Sequence, residues 1–393
     1  MNWVIDILLG LTLIGYLVSG FRRGFARSIT IIIGVLLGAV AAFFIVPLVG
    51  AWVPDATWRT LATIGTAIGL IVVGHTLGAL VGGAIGRAIQ RGPLRLADRV
   101  LGAVVNLVVS ALVISLLAAS VAPLGIPLLS QAVAQSLVIS NINRYTPDPV
   151  EAFLARARSI AVTDTIPTIV GALGGDGSSP DVPDVDTQTD LLRVAAASVV
   201  RVTGNASGCG QNQSGTGFVV ADGRVVTNAH VVAGVREPVV EQADGDALAG
   251  RIVYFDPVDD LAVIAVTGLK VQPLPLAGVL EVGDEAVYDG YPFGGPFTTG
   301  PARVLSIGPE QIEDIYGEAA IPREIYSIAA DIQQGDSGGP LLTADGEVAG
   351  VVFAKSAGTP NLGYAMTVTE LSPVVAKAAD LSSPVDSGTC IVG

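Results

Sequence analysis

Four apolar stretches crowd into the first third of the 393-residue chain. Each is near the roughly 20 residues a helix needs to cross a lipid bilayer. They run from about Ile7 to Phe21, within Ser28–Val53, within Thr60–Gly86, and from Val100 to about Ala122, where Pro123 and Pro127 interrupt the last. So much apolar surface in such long runs reads as a four-helix transmembrane bundle over residues 1–122, with something else attached. The first stretch lacks a basic leading segment and a small-residue cleavage site, so it reads as a retained span and not a cleaved leader. Arginines set the expected orientation. Arg22, Arg23 and Arg27 follow the first span, and Arg87, Arg91, Arg95 and Arg99 follow the third. The second loop holds only Arg59, opposed by Asp55. Loops one and three are expected in the cytoplasm, and both termini outside it.

Charge divides the chain the same way. Residues 1–144 carry about +6 and residues 145–393 about −20, within an overall −14. An acidic outer part disfavours nucleic acid, whose phosphates are held by Lys and Arg. In the third span Gly74, Gly78, Gly82 and Gly86 recur at four-residue spacing, a flat stripe that permits close helix approach. Packing within the bundle is its plain use, and a partner helix in the membrane is the sharper alternative. His75 beside the stripe is an ionisable group inside a span and so a functional candidate; the plain reading is a neutral imidazole bonded within the bundle.

Residues 123–190 read as a linker. Pro123–Ile139 is apolar and uncharged and is expected along the membrane surface; Asp148–Arg158 could form a short interfacial helix. Gly171–Asp190 is rich in Gly, Ser, Pro and Asp, too poor in apolar area to offset its ordering entropy, and is expected to be a flexible, cleavable tether.

From about Leu191 the pattern becomes short β-rich runs broken by Gly, Pro and Asp, such as Ser198–Val202, Arg224–Asn228 and Ala262–Val266. Such alternation over some 200 residues favours an all-β double barrel. The two cysteines, Cys209 and Cys390, both lie here. In an oxidising compartment such a pair tends to bridge. Zinc is the rival, but it needs about four ligands, and the one histidine outside the spans has another use. No metal or other cofactor is expected.

That use follows from three motifs. Gln334-Gly335-Asp336-Ser337-Gly338-Gly339-Pro340 supplies a serine in a glycine turn. There the Gly335 and Ser337 amides can aim at one developing oxyanion, and Gly338 and Gly339 are expected to keep side chains clear of an incoming peptide. Thr227-Asn228-Ala229-His230-Val231-Val232 supplies the base that such a serine requires. Asp259-Asp260-Leu261-Ala262-Val263-Ile264 supplies the acid that orients an imidazole. Asp260 is preferred to Asp259 because it directly precedes the apolar strand. The order His…Asp…Ser is that of chymotrypsin, not of subtilisin or the α/β-hydrolases.

With these residues in view, 191–393 resembles the trypsin-type proteases of the bacterial HtrA-like branch, the motifs at Thr227–Val232, Asp260–Val263 and Gly335–Pro340 carrying the likeness. The resemblance implies a chymotrypsin-like fold. It also implies that the strand Gly350–Ala354 pairs with substrate backbone beside the S1 pocket. Only 56 residues follow Ser337 in this sequence, so the PDZ domain of many HtrA proteins is not expected. Residues 1–122 resemble the four-span colicin V production family. The combination is similar to actinobacterial membrane-anchored periplasmic proteases. This implies a bacterial cell-membrane protein that cuts cell-envelope proteins and peptides under acid or oxidative stress. A catalytically silent protease-fold sensor or binding module, coupled to the bundle, is the alternative.

Two positions depart from the pattern. HtrA proteins usually carry Asn before the nucleophile, where this chain has Asp336, as in trypsin. There the acid pairs with a freed amino terminus, so here it needs another donor or a cut in the linker. Asp331, six residues before Ser337, stands where trypsin places its S1 carboxylate and is a candidate S1 contact; an ordinary loop carboxylate is the alternative. Finally, His230 must be neutral to act as a base, and free histidine titrates near pH 6.5, which sits awkwardly with work in acid.

Overall fold

The computed structural model describes residues 2–52, 56–89, 94–121, 133, 136–147, 149–150, 153–154, 167–169, 179–206 and 211–391. It forms two compact units that divide after Ser115. The first holds the apolar helices α1 (Asn2–Arg23), α2 (Phe25–Trp52), α3 (Ala56–Ile89) and most of α4 (Arg95–Val121). All four are long and apolar enough to cross a membrane.

Glycines fix how these helices meet. A Cβ on Gly74 of α3 would lie 2.1 Å from the Gly34 carbonyl of α2, and one on Gly34 would lie 2.2 Å from the Gly74 carbonyl. Gly78 abuts the Thr30 carbonyl and Gly82 the Thr30 hydroxyl in the same way. The stripe is therefore largely used for packing within the bundle, its plain reading, because α2 lies backbone to backbone on it; of its four glycines only Gly86 has open space beside it. His75 also departs from expectation. It is exposed on α3, one residue off the packed stripe, and makes no hydrogen bond among the described residues. Between α1 and α2 the chain turns at Gly24, at φ +81°. There Asp98 of α4 is buried and accepts the Ala26 N–H at 3.0 Å, satisfying one of the free amides that every helix start leaves.

The second unit carries the β structure. A helix α5 (Leu137–Tyr145), capped by Ser136, precedes it. The expected Pro123–Ile139 surface segment and Asp148–Arg158 helix lie mostly outside the described residues. So does the 171–178 part of the expected tether. Residues 179–190 are not loose. They run extended with alternate residues tucked inward, Pro183 buried and Val185 against the main apolar cluster. The Ser179 hydroxyl bonds the Pro360 carbonyl at 2.9 Å. Pro and Val supply enough apolar contact to lay down a segment whose composition reads as linker.

After α6 (Asp190–Ala196), a closed six-strand barrel forms in the order β2 (Val199–Ala206), β3 (Gln211–Ala221), β4 (Arg224–Thr227), β7 (Leu261–Val266), β6 (Ala247–Asp256), β5 (Val239–Glu241). The strands β3 and β4 are joined by Asp222-Gly223, with Gly223 at φ +61°. All six residues of β7, Leu-Ala-Val-Ile-Ala-Val, are buried. Each large one contributes roughly 1.5–3 kcal/mol through loss of apolar surface from water.

The second sheet runs β1 (Thr168–Ile169), β12 (Val348–Ser356), β11 (Pro340–Leu342), β8 (Glu285–Gly290), β9 (Thr298–Glu313), β10 (Ala320–Ala329), β13 (Leu362–Thr367). β13 pairs back onto β12, so the sheet closes into a second barrel with β1 as an addition. One buried cluster joins Val199, Phe218 and Val263 of the first barrel to Ile325, Tyr364 and Met366 of the second. The final helix α7 follows at Val368–Ala378 and buries Val368, Leu371, Val374 and Ala378 on one face. Arg224 caps its end, its Nε donating to the carbonyls of Ala378 and Leu381. The tail then crosses the first barrel. Cys390 packs against that barrel's core, 2.9 Å from where a Gly234 Cβ would stand.

Candidate active site

Three loops meet where the two barrels join. The chain leaves β4 and makes a single turn of helix, Ala229–Val232, which carries His230. Opposite, Asp260 opens β7 at φ +52°, an unusual backbone for a residue other than glycine. This conformation lets Asp260 bond with all three of its oxygens. Its Oδ1 accepts the His230 backbone N–H at 2.9 Å. Oδ2 lies 2.8 Å from His230 Nδ1, and its carbonyl accepts from Asn228 Nδ2 at 2.9 Å. Both side chains are buried. Such a carboxylate fixes the ring and assigns the Nδ1 proton, leaving Nε2 as the acceptor. Asp259 is less buried, and desolvation raises its carboxyl above the ordinary range.

Ser337 approaches from the second barrel. Its carbonyl accepts the Thr216 N–H of β3 at 2.8 Å, and a Cβ on the next residue, Gly338, would meet the Asn228 amide at 3.0 Å. The turn that carries Ser337 therefore lies directly on the turn that carries His230. The Ser337 hydroxyl is buried and without a hydrogen-bond partner among the described residues. The structure thus joins His230 to Asp260 by a bond and brings the Ser337 turn against the turn that carries His230, with no bond to the Ser337 hydroxyl among the described residues. Gly335 is at φ +96°, and a Cβ there would sit 2.3 Å from the Tyr291 carbonyl. The Gly335 and Ser337 amides make no hydrogen bond among the described residues.

Gly338 and Gly339 are required by the fold itself, besides any room they leave for a peptide. A Cβ would strike the Thr216 carbonyl at 2.2 Å from Gly338 and the Asp289 carbonyl at 2.2 Å from Gly339. They let the turn press against strand backbone of both barrels, which decides the matter before any substrate is considered.

Two supporting residues, Thr216 and Asp289, carried no motif, and Thr227 and Asp336 stood in motifs without a supporting role being assigned to them. Thr216, fully buried, donates its hydroxyl to the Gly335 carbonyl at 2.7 Å and accepts from the Tyr291 amide at 3.0 Å. Thr227 donates to the Thr216 carbonyl at 2.6 Å. A buried threonine inside a β-run has no one-dimensional mark. Asp336 and Asp289 are buried side by side with the turn: a Cβ on Gly290, next to Asp289, would meet Asp336 Oδ1. Burial pushes both carboxyls up to about 7.

Asp331 is exposed, its carboxylate accepting from Gln333 Nε2 and its carbonyl from the Tyr288 hydroxyl at 2.8 Å. It helps line a cavity of about 350 Å³ between 330–333 and 355–362, and Lys355 lines the same cavity. Beyond it, one side of β12 pairs in succession with β11 at Val348–Val351, with the Ser337 turn (Gly338 N–H to Val352 carbonyl, 2.8 Å; Val352 N–H to Gly339 carbonyl, 2.9 Å), and then with β1. The Lys355 and Ala357 amides donate to the carbonyls of Pro167 and Ile169 at 3.2 and 3.1 Å. The β1–β12 pairing is parallel.

Residues 215–351 match the trypsin-like peptidase domain, and residues 5–147 the colicin V production protein. Serine protease Rv3671c of Mycobacterium tuberculosis is 35% identical over 272 residues, 67% of each chain. The chain belongs to the Rv3671c family of serine proteases. The crystal structure of the Rv3671c protease in its active form superposes with a TM-score of 0.52 at 35% identity, covering 56% of this chain and all of that one. A putative serine protease HhoA of Synechocystis is 34% identical over 41% of each chain. As a member of the Rv3671c family the protein is a serine endopeptidase with a trypsin-like fold, carried on apolar helices that associate it with a lipid bilayer.

The expected disulfide is only half in view. Cys390 is disulfide-bonded, while Cys209 lies outside the described residues.

Proposed function

We propose that the protein hydrolyses peptide bonds of cell-envelope proteins outside the cytoplasm through a Ser337–His230–Asp260 triad. The observation that carries this reading is the His230–Asp260 pair at 2.8 Å, on a turn whose Asn228 abuts Gly338, the residue after a buried serine. His230 Nε2 takes the hydroxyl proton of Ser337 as Oγ attacks the scissile carbonyl. The carbonyl oxygen becomes an oxyanion and accepts from the Gly335 and Ser337 amides. Collapse breaks the C–N bond, the leaving amine takes the proton from His230, and an acyl-enzyme on Ser337 remains. Water, deprotonated by His230, then releases the acid and restores the hydroxyl. Asp260 stabilises the imidazolium and does not itself take the proton.

The arginine loops at 22–27 and 87–99 support an outward-facing protease domain. The same reading divides the chain into a membrane domain over 1–122, a connector over 123–190 whose 179–190 end docks on the protease, and the protease domain over 191–393. It bridges Cys390 to Cys209, the other cysteine of the chain, closing a loop of about 180 residues worth an upper value near 5 kcal/mol. Resistance to acid or oxidative stress is the role this fits. The test is Ser337→Ala in the full-length protein in detergent. Labelling by a fluorophosphonate and cleavage of a denatured protein should both vanish; either surviving would refute the nucleophile. The unbonded Ser337 hydroxyl favours a second reading, a catalytically silent sensor. In that case the unmodified protein would not label.

A further inference from the structure

In trypsin-like enzymes the acid before the nucleophile is held as a carboxylate by a cation. Asp336 is not held so. Its side chain is 1% exposed, Oδ2 accepts one bond, the Gln333 N–H at 2.8 Å, and Oδ1 is buried with no partner. No cationic group bonds it among the described residues. The charged and titratable groups that face it are Asp331 on its own loop, Lys355 at the end of β12, Tyr288 from β8 and, through the adjoining Gly290, Asp289. Of these Lys355 is the one fixed cation, and its pull is weaker than the opposing effects of burial and Asp331. Burying a carboxylate without a partner costs several kcal/mol, so the group escapes the cost by keeping its proton. As an acid it has the shape of the asparagine that the HtrA resemblance leads one to expect there.

We propose that Asp336 is a positioning residue that serves Ser337 as an uncharged carboxylic acid. Protonated, it sits quietly in its pocket and holds the Gln333–Ser337 turn, and with it the amides of Gly335 and Ser337. Ionised, it draws water or Lys355 into the pocket, and the turn moves off the geometry the oxyanion needs. The inference rests on the Ser337 reading and gives it a second proton. His230 must lose its proton for activity to rise, and Asp336 must keep its own for activity to last. The endopeptidase therefore has an upper pH limit built into the residue next to its nucleophile, and the tension between a histidine base and work in acid is eased from the other side.

The test is the pH profile of kcat and KM from pH 4.5 to 9 for the full-length protein, Asp336→Asn, Asp336→Ala and Ser337→Ala. In the unmodified enzyme kcat should rise and then fall, with about one-tenth of the protonated fraction left one pH unit above the carboxyl's midpoint. KM should change little, since the turn acts on the transition state. Asp336→Asn should lose the alkaline fall, so that its kcat exceeds the unmodified enzyme's about tenfold at pH 8. Asp336→Ala, which cannot accept the Gln333 N–H, should have low kcat at every pH. An unmodified profile that rises and stays level to pH 9 would overturn the proposal, whether or not the variants fold. So would an Asp336→Asn that keeps the alkaline fall. Activity surviving in Ser337→Ala would instead mean that the nucleophile had been misassigned.

Discussion

Replacing Asp289 by asparagine should flatten the pH dependence of stability. Asp289 lies on β8, 1% exposed. The Thr299 hydroxyl donates to Oδ1 at 2.6 Å, and Oδ2 has no partner. Burial drives the carboxyl from its ordinary 3.8 up to about 7, with the Thr299 bond pulling the other way. A group whose pKa is raised on folding binds its proton more tightly in the native state. Its stabilising contribution is complete below pH 3.8 and is lost as pH rises through about 7. Across that gap of about three pH units, at about 1.4 kcal/mol each, the contribution is roughly 4 kcal/mol. Asparagine can still accept from Thr299 but cannot ionise. The unmodified protein should therefore gain roughly 4 kcal/mol on Asp289→Asn as pH falls from 8 to 4. Any cost of burying the amide shifts the variant's curve by a constant. Urea unfolding of the full-length protein in detergent, followed by near-ultraviolet circular dichroism, reads this out. The tryptophans, Trp3, Trp52 and Trp58, all lie in the apolar part, so buried tyrosines such as Tyr326 and Tyr364 report on the protease unit. A stability difference that is the same at pH 4 and pH 8 would refute the reasoning.

Three further outcomes follow from the geometry. Gly335→Ala, whose Cβ would press on the Tyr291 carbonyl from a backbone at φ +96°, should lower kcat by about 10²–10³ with KM little changed, measured on a peptide substrate. Gly74→Leu should part α2 from α3 and lower the melting temperature of the full-length protein in detergent. Gly83→Leu, which has open space around it, should be tolerated; equal effects would sink the packing argument. Ile169→Asp, which strips a residue that packs against the main apolar cluster, should loosen β1 from β12 and lower KM for short peptides several-fold at unchanged kcat.

How much of this could be read in one dimension depended on whether the chemistry sits in a contiguous run. The spans announce themselves over some 20 apolar residues, and the barrel strands and the runs around His230, Asp260 and Ser337 each within six or seven. The supports do not. Thr216 looks like any strand threonine, yet it ties the first barrel to Gly335, a residue 119 positions away. Asp289 looks like a strand-edge acid until β8 is seen to be buried. The span-three glycines were legible as a close-packing stripe. Their partner was not, because Gly34 and Gly38 on α2 are too few to stand out in an apolar run. Residues 179–190 misled through composition: Pro and Val spaced two apart can lie on a surface that composition says nothing about.

The two-residue strand β1 reaches β12 from within the same polypeptide. An occupant that is tethered competes at an effective concentration fixed by the length of its leash, not by how much enzyme is present. Dilution cannot relieve it. A short peptide using that edge would have to displace it, whereas a long unfolded segment, able to zip along more of the edge, would do so at little disadvantage. Where substrate backbone runs along this edge, as the HtrA resemblance implies for the neighbouring Gly350–Ala354, β1 would act as a length filter that favours unfolded chains over fragments, and the Ile169→Asp measurement decides it.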